Sequence, residues 1–206
     1  MKYYAGIGSR ETPKEICNKM TEIASLLEKQ DFVLRSGGAQ GADHAFEIGI
    51  SDQLMMDIYL PYINFNNKSG SKYIFISNSD HSNYKAAYES LKYHPRGFNM
   101  SHGTKVMMIR NYFQACGLVN QSNSSFVICW TPKGANGYTI KTTYEDGGSG
   151  QCIRIAAAHN IPVYNLKDSR YSHLTAQEIV NVILYNLQNG INQDNIISNQ
   201  TTSNIF

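Results

Sequence analysis

Phe32-Val33-Leu34-Arg35-Ser36-Gly37-Gly38-Ala39-Gln40-Gly41-Ala42-Asp43 is the stretch that decides the fold. Phe32 to Ser36 reads as a buried strand, and the glycine pair after it breaks the extended run. A helical pattern begins near Gln40, with Ala42, Ala45, Phe46 and Gly49 on one face. Upstream, Lys2 to Gly8 reads as a strand rich in aromatics that ends on glycines. Thr12-Pro13-Lys14-Glu15 follows with the form of a capping box and a proline at the first helical position. Ile16, Met20, Ile23 and Leu27 then recur at helical spacing, which predicts a helix to about Gln30. Downstream, Leu54 to Leu60 is a third apolar run stopped by Pro61. The order β-α-β-α-β predicts an α/β protein, its sheet mostly parallel with helices on both faces.

The rest of the chain extends the pattern less evenly. A short strand is expected at Tyr73–Ser77, and helices at about 81–93 and 103–116, separated by His94-Pro95-Arg96-Gly97. Ser125 to Trp130 reads as a buried strand, Gly148 to Asn160 as a helix, Ile161 to Leu166 as a strand and 174–188 as an amphipathic helix. Residues 131–147 have no hydrophobic period and read as a loop or protruding hairpin, a candidate lid. One domain over 1–188 accounts for this, followed by a polar tail at 189–206 expected to fray or to pair with a partner chain.

Composition bounds the function. A chain of 206 residues, 42% hydrophobic, buries a core without staples. Eighteen basic residues against 16 acidic ones leave a formal charge of +2, too even for affinity that rests on wrapping a phosphate backbone. No long apolar run and no secretory signal pattern is present, so no membrane partner and a cytoplasmic location are expected. Cys17, Cys116, Cys129 and Cys152 form no close pairs, and the six histidines show no ligand spacing. No metal and no cofactor are therefore expected, and the thiols read as small buried hydrophobes.

Chemistry concentrates where strands end in glycine. In open α/β sheets, ligands bind beyond the carboxyl ends of the strands, and helix N-termini offer free N–H groups to anions. Three such places occur: Gly6-Ile7-Gly8-Ser9-Arg10, Ser36-Gly37-Gly38-Ala39-Gln40-Gly41-Ala42-Asp43, and Asp146-Gly147-Gly148-Ser149-Gly150-Gln151. The first is no dinucleotide fingerprint, because Glu11 stands where the third glycine belongs, and no P-loop motif is present.

The second and third glycine stretches, followed by Ile161-Pro162-Val163-Tyr164-Asn165-Leu166, resemble the SLOG superfamily of Rossmann-like domains. That group includes the DNA-processing DprA-like proteins and, more distantly, the LOG phosphoribohydrolases. Tyr4-Ala5-Gly6-Ile7-Gly8-Ser9-Arg10-Glu11-Thr12-Pro13, Arg110-Asn111-Tyr112 and Phe126-Val127-Ile128-Cys129-Trp130-Thr131-Pro132 resemble the small DprA-like proteins common in bacteriophage genomes. The resemblance covers about residues 2–166. It implies a single Rossmann-like domain, a nucleotide or nucleotide-derived ligand, and assembly into a homo-oligomer; Val106, Met107, Met108, Phe113 and Leu118 are candidates for that interface or for core.

Three functions compete. A LOG-like nucleotide N-glycosidase needs the glycine motif completed by threonine and glutamate, where this chain has Gln151 and Arg154. A guanidinium reverses the electrostatics that stabilise a developing cationic sugar. Glu47, Glu145 and Asp146 remain candidate substitute acids, with Asp43 also near the edge. DprA-like single-stranded DNA binding is possible but not favoured, since Lys and Arg do not cluster; dispersed tyrosines can still form stacking platforms. The reading placed first is non-catalytic capture of a small phosphorylated nucleotide, extended through the phage resemblance to sequestration of a host immune signal. For it, Gly8, Ser9, Ser36, Gly37, Gly38, Asp43, Asn111, Gly147, Gly148, Ser149, Gly150 and Gln151 form the expected binding edge. Arg10, Arg35 and Arg110 supply charge, and Tyr4, Tyr112 or Tyr138 a stacking face.

Overall fold

The computed structural model describes residues 1–76 and 80–191. Six strands, β1 (Lys2–Gly6), β2 (Phe32–Ser36), β3 (Met56–Leu60), β4 (Tyr73–Phe75), β5 (Val127–Cys129) and β6 (Val163–Asn165), form one sheet. Its order is β4-β3-β2-β1-β5-β6, and every pairing is parallel. Among the described residues, six α-helices cover it: α1 (Lys14–Glu28), α2 (Ala42–Ile48), α3 (His81–Glu89), α4 (His102–Cys116), α5 (Gly147–Ala158) and α6 (Ala176–Gln188).

Alternation along the strands builds two cores, because successive side chains point to opposite faces. Tyr4, Leu34, Ile58, Leu60, Phe126, Ile128 and Tyr164 pack with α1, α2 and α6 on one side. Ala5, Ile7, Val127, Cys129 and Val163 pack with α4 and α5 on the other, and Tyr59 with α3 and α4. Strands buried on both faces need near-continuous apolar runs, which explains why these segments were readable from sequence. Arg35 interrupts β2 on the α4 side and is wholly buried.

Two details depart from expectation. The Thr12–Glu15 capping box does not form: Pro13 takes the N-cap position of α1, and the Thr12 hydroxyl donates to the Ser9 carbonyl at 2.7 Å. The same motif works at α6, where Thr175 N–H donates to Glu178 Oε2 (2.8 Å) and Glu178 N–H to Thr175 Oγ1 (3.3 Å). Residues 131–147 take the loop form, ending in a 3-10 turn at Tyr144–Asp146. Asn136, fully buried, pins the loop by accepting the N–H groups of Tyr138, Thr139 and Ile140 on Oδ1. Asn165 holds the start of the loop, donating to Thr131 Oγ1 and to the Ala135 carbonyl. The expected strand at Tyr73–Ser77 is seen as Tyr73–Phe75, with 77–79 outside the described residues; most of the tail, 192–206, also lies outside them. No helix among the described residues is long and apolar enough to cross a membrane.

Candidate functional site

The strand order reverses between β1 and β5, so the connections from these neighbours leave in opposite directions and open a crevice at their carboxyl ends. A cleft of about 550 Å³ lies there. One wall is the loop after β1, with Ile7, Gly8, Ser9, Arg10 and Glu11. The opposite wall is the end of the long loop and the first turn of α5, from Glu145 to Ser149. A stripe of α4 closes it: Gly103, Thr104, Met107, Met108, Arg110, Asn111 and Gln114, spaced to share a helical face.

The loop after β1 is held by its carbonyls. Ser9 O accepts from the Ala42 and Thr12 N–H groups, and Ser9 N–H donates to Trp130 O. Gly41, at φ +78°, allows this packing, because a Cβ there would lie 2.7 Å from both the Ser9 and Arg10 carbonyl oxygens.

At the floor, Arg110 Nη1 pairs with Asp43 Oδ2 at 3.3 Å, and the same oxygen accepts the Ala39 N–H. Both side chains are buried. Burial holds the Asp43 carboxyl above its ordinary range, with the Arg110 charge pulling it back down. Among the described residues, Arg110 Nε and Gln114 Nε2 are buried donors with no acceptor. Orphaned buried donors cost on the order of 1–3 kcal/mol each, and both belong to residues lining the cleft. The first-turn amides of α5 add further donors, since the N-cap Asp146 gives them no side-chain cap and instead accepts from Thr143 N–H and Oγ1. Asn111 Nδ2 donates to Gly148 O at 3.0 Å and ties α4 to this turn. Donors and a helix N-terminus converging on one concavity suit an anion.

The expected residues separate into two groups. Gly8, Ser9, Arg10, Asp43, Arg110, Asn111, Asp146, Gly147, Gly148 and Ser149 line the cleft, as does Glu145, which is exposed and paired to Lys133 at 2.7 Å. Arg35 does not. Its Nη1 donates to Ser122 O at 2.8 Å, its Nη2 to Gln121 Oε1 at 3.0 Å, and its guanidinium lies 3.7 Å from the Tyr3 ring centre. Being on the strand before the glycine pair, it points into the α4-side core rather than over the strand end.

Ser36, Gly37 and Gly38 sit behind the floor. Ser36 Oγ donates to Gly6 O, Asn66 Nδ2 donates to Gly38 O, and Gly37 gives its space to Arg110. Gly150 backs onto Asp146, and Gln151 is buried, donating to Ser90 O. Glu47 is buried in an ion pair with Lys68 away from the cleft. Arg154, at the position of the LOG glutamate, points to the far side of α5 and donates to Thr142 Oγ1.

None of the three expected stacking tyrosines lines the cleft. Tyr4 is fully buried between Phe46 and Phe126, Tyr112 packs on Phe113 and His159, and Tyr138 donates to the Ile161 carbonyl. The apolar lining comes from Ile7, Ala39, Met107, Met108 and Pro132. Met107, Met108 and Gln114 escaped notice as site residues, although their spacing from Arg110 and Asn111 puts them on one helical face.

Gly37 provides a direct test of the floor. A Cβ there would fall 1.1 Å from Arg110 Nη1 and 2.7 Å from Gln114 Nε2. Gly37→Ala is expected to expel the guanidinium, costing about 1–3 kcal/mol of stability from overpacking and at least tenfold in affinity for a phosphate ligand. Thermal denaturation alongside ligand titration checks both, and an unchanged affinity would count against this floor.

An all-parallel sheet covered on both faces, with its cleft where the strand order reverses, defines a Rossmann-like α/β protein. No protein-family model matches the chain, and no curated protein sequence does. The fold is similar to that of DNA processing protein A from Helicobacter pylori, a protein studied for its single-stranded DNA binding mode. That solved structure shares 18% identity and a TM-score of 0.52, covering 90% of this chain and 81% of its own. At this identity the likeness is one of fold.

Proposed function

We propose that the cleft receives a nucleotide phosphate and that the protein binds single-stranded DNA through it. The observation that carries this reading is the pair of orphaned donors, Arg110 Nε and Gln114 Nε2, on two side chains of α4 that line the cleft. A phosphate oxygen satisfies these donors, and Met107 and Met108 offer the adjacent sugar or base an apolar contact. The single-stranded DNA binding of the structural neighbour moves DNA ahead of the free nucleotide, which the sequence alone favours. Titration of a fluorescent oligodeoxythymidylate at several salt concentrations tests it. The expected result is saturable binding that weakens with salt, log K falling by roughly 0.7 per neutralised phosphate against log salt. No binding at low salt would sink it.

Capture of a small nucleotide is the second reading, supported by the charge balance of +2 and by the burial of the floor pair. A nucleoside monophosphate present at a hundred times its Kd would stabilise the fold by about 2.7 kcal/mol, visible as a rise in Tm without any DNA. Glycosidic cleavage has the weakest support. Asp43 and Asp146 are engaged by hydrogen bonds and Glu145 by Lys133, and Glu11, the remaining carboxylate of the lining, is exposed on the loop after β1.

A further inference from the structure

A second concavity, of about 360 Å³, lies on the far side of α5 from the cleft. Tyr93, Lys141, Thr142 and Arg154 line it. Arg154 is held in place from two directions, Nε donating to Gln151 Oε1 at 3.3 Å and Nη1 to Thr142 Oγ1 at 2.7 Å. Lys141 reaches back to the Gly137 carbonyl, and Gly137 lets the loop lie against Ala157 and Ile153 of α5. Arg96 and Lys92 stand nearby, both exposed. Among the described residues, none of Lys92, Arg96, Lys141 and Arg154 forms an ion pair. The positive potential is felt locally: the His94 pKa is lowered by burial and by the charges of Arg154 and Arg96, and that of His159 by burial and by Lys92. In a chain of net charge +2, Lys141 and Arg154 in the hollow, with Lys92 over Tyr93 and Arg96 over Tyr144, form a local concentration that the average conceals.

Tyr144 lies in the chain between Thr142, which lines the hollow, and Glu145, which lines the cleft. It stands at the start of the turn that ends on Asp146, is 68% exposed, and carries the Arg96 guanidinium 5.2 Å from its ring centre. Arg96 Nη2 also donates to the Tyr144 hydroxyl at 3.3 Å. Ser149 in the cleft and Arg154 in the hollow are five residues apart on α5, about 7.5 Å along its axis and on opposite sides of a helix about 10–12 Å across. A few nucleotides of an extended strand span that separation.

We propose that this hollow is a second phosphate site, holding the backbone of a DNA strand that leaves the cleft and crosses Tyr144. Arg96, Lys141 and Arg154 neutralise the phosphate, and the Tyr144 ring stacks a base at the ridge. The inference rests on the reading of the cleft as a strand-binding site, and it adds a length requirement that the cleft alone does not impose.

The test compares wild type with Arg96→Ala/Lys141→Ala on fluorescent oligodeoxythymidylates, one of two or three nucleotides and one several times longer. Both positions are exposed, and an unchanged Tm verifies the fold. For wild type, the longer strand is expected to bind more tightly and with a steeper salt dependence. The double variant is expected to lose about tenfold on the longer strand, with a slope shallower by about 1.4 for two lost cations at 0.7 each, and nothing on the short one. Tyr144→Ala is expected to weaken only the longer strand while leaving the salt slope intact. If wild type binds both lengths alike, or the double variant keeps its affinity for the longer strand, the second site is refuted while the cleft reading stands. If wild type binds neither strand, both fall together.

Discussion

Arg110→Met is expected to abolish phosphate-dependent binding and to cost the fold about 3–5 kcal/mol. Removing one partner of a buried ion pair leaves the other charge uncompensated, which is worse than never having had the pair. Asp43 is that other charge, buried and tied to the Ala39 amide. The double variant Asp43→Asn/Arg110→Met is expected to recover most of the stability and none of the binding. Urea denaturation separates the two effects from ligand titration.

The pH dependence follows from the raised Asp43 pKa. Above the unfolded carboxyl value of about 3.9 and up to Asp43's higher folded value, the native state holds a proton that the unfolded state has released. Stability therefore falls as pH rises through that window. Arg110 is the main influence drawing the Asp43 pKa down, so Arg110→Met extends the falling limb upward in pH, and Asp43→Asn removes it. Denaturation midpoints across the acid range report both shifts. A single Arg110→Met variant that kept its ligand would show that the floor is structural only.

Arg35→Ala is expected to give the opposite profile, a loss of about 3–5 kcal/mol with ligand affinity per folded molecule unchanged. The Arg35 side chain satisfies Ser122 O and Gln121 Oε1 and lies across Tyr3, and Asp57 Oδ2 stands 4.0 Å from Nε. Its removal strands these acceptors and opens a cavity between β2 and the segment after α4. The two arginines are alike in sequence, each beside a motif of the binding edge, and both lie on the α4 side of the sheet; Arg110 lines the cleft at the strand ends, whereas Arg35 is enclosed in the core. Affinity measured at denaturant concentrations where the variant is still folded distinguishes them. A loss of binding at Arg35→Ala in that regime would return it to the site.

That contrast marks the boundary of what the sequence reveals. The α/β pattern was legible because strands buried on both faces require unbroken apolar runs, and the covering helices carry apolar stripes. The edge of the sheet that carries the cleft was legible from Gly8-Ser9-Arg10 and Gly147-Gly148-Ser149, since glycine at a strand end or helix start permits close backbone approach. Side-chain direction was not. Arg35 faces the interior because strand alternation and register put it beside Ala5 of β1 and Asp57 of β3, and the sequence does not state the register. Gly37 was expected to face a ligand with its own amide; it is needed because the Arg110 guanidinium occupies the space of its missing side chain. A tyrosine in sequence can serve as a stacking face or as packing; Tyr4 is core between Phe46 and Phe126, while Tyr112 and Tyr138 are half-buried outside the cleft lining.

The position of β1 has a consequence for how the molecule is made. One edge of β1 pairs with β2, beginning at Lys2 and Phe32, while the other awaits β5, where Ala5 meets Val127. As the polypeptide emerges from the ribosome, a four-stranded half-sheet can assemble while its central strand still has a bare flank of unpaired amides and carbonyls. At 5–20 residues per second the fifty or so residues between β4 and β5 take roughly 3–10 s to appear. Through that interval, β1 presents an apolar, template-ready border to any other nascent chain, and closure by β5 both ends that exposure and creates the crevice.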